Sequence, residues 1–152
     1  MKKLYDFNFL LYLILYLLGG MATFSLPPFS IFPLIFILGF GIYIVSKLKA
    51  LKKIFFAGFF LGLGWFSFGL YWIGSAFLVN DTYEIFLMPL GVLLLPSILA
   101  LFWATAFVAA KFIGNKLGNS ILTIVMILSL SEYFRCNVFT GFPWLMPSMV
   151  LS

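Results

Sequence analysis

Residues 132–136 read EYFRC, placing a carboxylate, a guanidinium and the protein's single cysteine within five positions. If a helix continues through Arg135, then Glu132 and Arg135 lie three residues apart on one face and can pair as ions. An arginine next to a cysteine is one arrangement that generates a reactive thiolate, so the chemistry to consider at Cys136 is nucleophilic. A nucleophile also needs a base and an oxyanion site, and no residue around Cys136 can be named for either role. The chain contains no histidine, which removes the commonest general base and metal ligand. Asp81 and Glu84 are two further carboxylates, but without a base, nucleophile or metal ligand nearby they read as acids that keep a short loop wet. Just beyond Cys136 comes TGFPW, residues 140–144. Gly141 permits a tight turn, Pro143 locks it, and Phe142 and Trp144 present apolar faces to a bilayer. The residue types therefore predict a rigid aromatic cap beside a charged pair, with no catalytic residue, no metal site and no cofactor.

The elements that must carry this cap lie in lipid. Of the 152 residues, 64% are hydrophobic and only 9% charged, and the mean hydropathy is +1.20. A soluble domain is typically about half apolar and about a quarter charged, and a chain this short has too little interior to hide such a surplus. The expected fold is an all-α polytopic transmembrane helix bundle. Five spans are expected over residues 7–22, 31–46, 54–78, 85–110 and 117–134, each judged against the roughly 20 apolar residues that a crossing needs. The second is short, and Pro89 and Pro96 are expected to kink the fourth. The lysine pair and apolar run at the amino terminus resemble a signal peptide. No small-residue cleavage site and soluble domain follow, so a retained first span is expected.

Net charge is +5, yet no basic stripe could track a phosphate backbone, and nucleic acid is not an expected partner. The lysines mark topology instead. Lys2 and Lys3 precede the first span, Lys47, Lys49, Lys52 and Lys53 separate the second and third, and Lys111 and Lys116 separate the fourth and fifth. Alternating spans put all of them on one side, which the positive-inside rule makes cytoplasmic. The amino terminus is then cytoplasmic, and residues 25–29, 81–84 and 132–144 face outward.

Two further stretches stand out. In the third span, Gly58 and Gly62 are four apart and Gly69 follows seven later. Small residues at that spacing let helices pack closely; the alternative is a groove that admits an acyl chain. Tyr71 and Trp72 fall near the outer end, where amphipathic rings suit the headgroup level. After the first span, FSLPPFSIFP holds two prolines in series, which forbid a regular helix and fix an extended turn. Phe24, Leu26 and Phe29 are expected in the interface.

Together, FSLPPFSIFPL after span one, GFFLGLGWFSFGLYWIG in span three and SEYFRCNVFTGFPW after span five resemble the membrane half of bacterial apolipoprotein N-acyltransferases. The resemblance covers nearly the whole chain. It implies transfer of an acyl chain from a membrane phospholipid to the free α-amino group of a diacylglyceryl-cysteine on a lipoprotein substrate, at the outer face of the inner membrane. It also implies that the acyl group is carried on a cysteine of a nitrilase-like domain, activated by a glutamate and a lysine, beyond the membrane segments present. Cys136 precedes TGFPW and does not match that nucleophile, and Glu132 does not match the catalytic acid, so no catalytic residue carries over. Gly69, Tyr71, Trp72, Glu132, Arg135, Gly141, Phe142, Pro143 and Trp144 match the membrane scaffold.

The leading expectation is that residues 1–152 form the amino-terminal membrane domain of such an enzyme, truncated or encoded as a split gene, and inactive alone. The alternative is a non-catalytic membrane module that binds lipid or pairs with a separately encoded nitrilase-like partner. A small transporter is a third option, weakened because the ionisable residues fall near span ends rather than at the midplane.

Overall fold

A backbone in hydrocarbon has to satisfy its own hydrogen bonds, and a continuous helix does so within one segment. The computed structural model describes residues 2–76, 86, 88–117, 121–138 and 145–148, and every regular element among them is helical. The order is α1 (Lys2–Ala22), α2 (Ile35–Ser46), α3 (Leu51–Gly69), α4 (Ile73–Ala76), α5 (Met88–Leu117) and α6 (Ile121–Val138), with single 3₁₀ turns at Thr23–Ser25 and Phe32–Leu34. By length and composition α1, α3, α5 and α6 can each cross a membrane, while the apolar segment Phe32–Ser46 is shorter. Its 12 α-helical residues rise only about 18 Å, against a hydrocarbon core of about 30 Å. Pro33 sits in the 3₁₀ turn that starts this segment, and the residues before it are spent on the Pro27–Pro28 turn.

Three expected boundaries move. The third span was expected to run to residue 78, but α3 ends at Gly69 and the chain turns through residues 70–72 into the short α4. Tyr71 and Trp72 therefore stand beyond the helix, on a turn closed by bonds from the amides of Ile73, Gly74 and Ser75 to the carbonyls of Leu70, Tyr71 and Trp72. The fourth span starts at Met88 and continues to Leu117, past Lys111. Pro89 then occupies the first turn, where its missing N–H costs nothing, and the helix runs on through Pro96. The fifth span is shifted to Ile121–Val138, which keeps Glu132 and Arg135 on one helix, with Arg135 in its last turn.

Helix α3 is the centre of the bundle, packing most extensively against α1 on one side and α5 on the other, with α6 against α5 and α2 against α1. Glycine makes the first of these contacts possible. A Cβ placed on Gly64 would run into the Tyr16 carbonyl of α1, and one on Gly19 into the Leu61 carbonyl of α3. The two backbones thus touch without side chains between them, the arrangement that gives helices in lipid the most dispersion contact. Beside this crossing, Tyr12 stacks on Phe60 with centroids 5.4 Å apart and Tyr16 meets Phe68 edge-on at 5.8 Å. Gly58 and Gly62 lie against α5, where added Cβ atoms would press on Phe107 and Trp103. Leu15, Leu61, Trp65, Phe66, Leu99 and Trp103 fill the core between the three helices.

After α1, Thr23 and Ser25 each donate a 2.6 Å hydrogen bond to a carbonyl three residues back, covering helix-end acceptors. The turn is tied by Ser30 N to Leu26 O and Ile31 N to Phe24 O, both 3.0 Å. Leu26, expected in the interface, is instead buried in the core; Phe24 is half-buried and Phe29 exposed.

Gly64→Leu and Gly62→Leu should each lower the yield of monodisperse protein in detergent, with Gly64→Leu the worse because it meets backbone; overpacking of this kind costs about 1–3 kcal/mol or more. Gly39→Ala, with nothing within 4 Å of its Cβ position, should be tolerated. Equal behaviour of Gly64→Leu and Gly39→Ala in size-exclusion chromatography would contradict the packing described.

Candidate functional site

A carboxylate within a bundle of apolar helices needs a counter-charge and hydrogen-bond donors, since an unpaired charge there is costly. Glu132 has both. Arg135, one turn further along α6, gives a 2.6 Å ion pair from its terminal nitrogen to Oε2, and its Nε lies 3.4 Å from Oε1. From α5, the indole N–H of Trp103 donates to Oε1 at 2.7 Å. Arg135 is completely buried, its guanidinium 5.2 Å from the Phe66 ring centroid of α3. A guanidinium at that distance from an aromatic face gains a cation–π attraction that strengthens when water is excluded. Phe66 meets Trp103 edge-on at 5.6 Å, and Trp65 stacks on Trp103 at 6.1 Å. One charged pair on α6 is thereby joined to α5 by a hydrogen bond and to α3 by aromatic contact. Ser131 adds a second α6-to-α5 link, donating to the Phe102 carbonyl at 3.1 Å.

The same tryptophan layer reaches past α6. The Trp65 indole N–H donates to the Leu145 carbonyl at 2.8 Å, across 80 residues of sequence, and the Leu145 side chain lies where any side chain on Gly69 would have to go. Leu145 lines an apolar groove of about 610 Å³, together with the 23–29 turn, Tyr16, Phe68, Tyr71, Val92 and Leu93. A second, mostly apolar cleft of about 340 Å³ lies between α2 and α6, with Trp103, Glu132 and residues 146–148 on its walls. Both volumes fall in the range of small-molecule sites, about 300–1,000 Å³, and both linings suit hydrocarbon.

Among the residues singled out from sequence, Glu132 and Arg135 are brought together, and Gly69 and Tyr71 meet at the larger groove. Gly58 and Gly62 lie apart from it, covered by α5. Trp72 is exposed beside Tyr71. Gly141, Phe142, Pro143 and Trp144 lie outside the described residues, as do Asp81 and Glu84. Cys136 is a half-buried free thiol. Sequence reasoning missed Trp65, Phe66, Trp103 and Leu145. A signal for the two tryptophans existed: in the expected spans, residues 54–78 and 85–110, both fall away from the ends where indoles normally anchor, and a buried indole N–H needs an acceptor.

Apolar helices long enough to span a membrane, packed around a neutralised internal ion pair and flanked by apolar grooves, define a polytopic helical membrane protein. Residues 18–152 match the family described as apolipoprotein N-acyltransferase N-terminal domain, and the chain belongs to that family. Among its relatives, apolipoprotein N-acyltransferase of Rhodopseudomonas palustris is 34% identical over 134 residues, covering 84% of this chain and 25% of the relative. The proteins of the same name from Brucella melitensis and Caulobacter vibrioides are 36% and 30% identical, each over 85% of this chain. The chain spans about a quarter of the length of the curated relatives it matches. It is a bacterial membrane protein of an acyltransferase family.

Arg135→Ala should destabilise the bundle by about 3–5 kcal/mol, because it leaves a buried carboxylate uncompensated. The double replacement Glu132→Leu with Arg135→Met should recover most of that loss. Thermal unfolding in detergent measures both, and an unchanged midpoint for Arg135→Ala would contradict a structural role for the pair.

Proposed function

We propose that residues 1–152 are the membrane part of an apolipoprotein N-acyltransferase system, which moves an acyl chain from phospholipid to the α-amino group of a lipoprotein's diacylglyceryl-cysteine. The chain contributes a scaffold: it holds lipid tails beside the catalytic unit and orients that unit on the membrane. The observation that carries this reading is the apolar groove bounded by the 23–29 turn, Gly69, Tyr71 and Leu145, a site shaped for hydrocarbon at the point where α3 ends. Family membership supplies the reaction, and the fully buried Arg135 accounts for why a scaffold would keep a charge at all. On this proposal the bundle sits in the inner membrane with its lysines cytoplasmic, which requires the shorter Phe32–Ser46 segment to cross as well. Residues 145–148 then lie at the periplasmic face, where such a reaction takes place.

On this reading the acyl carrier, a thiolate served by a glutamate and a lysine, belongs to a nitrilase-like domain and not to these residues. Acyl transfer then proceeds in two steps. The carrier thiolate attacks the phospholipid ester to form a thioester and release a lysophospholipid; the substrate's amine then attacks the thioester, forms an amide and returns the thiol. A second reading, a membrane module that binds lipid without serving this reaction, draws on the same groove.

The 152 residues alone, in nanodiscs containing labelled phospholipid, should transfer no label to a diacylated lipopeptide with a free amino terminus. Adding a nitrilase-like domain of the family should restore transfer, and only in the presence of this chain. Turnover by the chain alone would refute the scaffold role, and no gain with the added domain would favour the lipid-binding module. In intact spheroplasts an impermeant maleimide should label Ser148→Cys but not Lys49→Cys, both in a Cys136→Ser background; the reverse pattern would overturn the orientation.

A further inference from the structure

Leu145 has a backbone φ of 62°, a left-handed conformation that a residue with a branched side chain seldom adopts unless its surroundings impose it. Two contacts hold the residue here, one at its carbonyl and one at its side chain. The Trp65 indole holds the Leu145 carbonyl at 2.8 Å. Gly69, one turn further along α3, leaves its face open, so that the Leu145 side chain lies where a Cβ at 69 would come within 2.5 Å of Leu145 Cδ1. Trp65 is itself immobilised, fully buried and stacked on Trp103, whose own N–H is committed to Glu132. The strap that Leu145 begins is also a partition. Leu145 lines the groove beside the 23–29 turn, whereas Met146, Pro147 and Ser148 line the separate cleft between α2 and α6.

We propose that Trp65 is a positioning residue, the latch that fixes Leu145 and so sets the wall between the two apolar sites. The consequence for lipid rests on the scaffold reading above; the latch does not. Among the described residues, no donor to the Leu145 carbonyl besides the Trp65 indole remains once that indole is removed. Residues 145–148 should then lose their fixed position while the helices keep theirs. A purely space-filling Trp65 would behave differently: its loss would loosen α3, α5 and α6 together.

The test separates these cases. Spin labels are placed at Lys52→Cys and Ser148→Cys, which report on the strap, and at Lys52→Cys and Leu130→Cys, which report on the helices, all in a Cys136→Ser background. In Trp65→Phe the strap distance distribution should broaden about twofold or more, as expected of a segment released from its packing, with the helix pair unchanged. Gly69→Val, which displaces Leu145 without touching Trp65, should do the same. Unchanged strap distances in both variants, or broadening of both label pairs, would overturn the latch. Native mass spectrometry of the same variants counts retained phospholipid. A lower count supports the partition of the groove; a broadened strap with an unaltered count upholds the latch and refutes the groove as a lipid site.

Discussion

A carboxylate in a bundle of hydrocarbon-facing helices is stable only if every part of its charge is answered from within the protein. Glu132 is answered three times, by two nitrogens of Arg135 and by the indole of Trp103. Because one donor comes from α5 and the guanidinium lies against Phe66 of α3, neutralising the charge fixes three helices relative to one another. Apolar contact alone is a weak guide to register in lipid, since lipid tails are as apolar as leucine. A buried ion pair supplies little net energy against a hydrophobic alternative, but it has one arrangement that works and many that fail. The rest of the bundle is consistent with that division of labour: glycine contacts between α1 and α3 set how closely helices approach, and the polar node sets how they are aligned.

The tryptophan layer extends this order to the place where function is proposed. Trp103 serves the carboxylate, Trp65 stacks on Trp103, and Trp65 in turn holds Leu145. A rigid interior thus reaches the wall of an apolar groove through two indoles. A scaffold that presents acyl chains to chemistry elsewhere needs such a connection, because the reacting groups must meet within a narrow range of positions.

Much of this architecture was legible in the sequence. The apolar runs gave the helices, and the spacing of Glu132 and Arg135 gave their pairing, because each rests on local periodicity or composition. What escaped was long-range. Helix α3 ends at Gly69, where Leu145 packs from the other end of the chain, and a run as apolar as residues 70–78 hides the turn. Leu26 is buried in the core built by the helices together, which its own segment does not reveal. Trp65 and Trp103 looked like two more aromatic residues among many, since only the folded bundle shows which acceptor each indole meets.

The central claim is that the Glu132 carboxylate couples α6 to α5 through Trp103. A double-mutant cycle of Glu132→Gln and Trp103→Phe, read from equilibrium unfolding in mixed micelles, tests it most directly. The account predicts a coupling free energy of about 1–2 kcal/mol, as expected for residues that share one buried network. Additivity to within about 0.3 kcal/mol, the behaviour of independent sites, would contradict it.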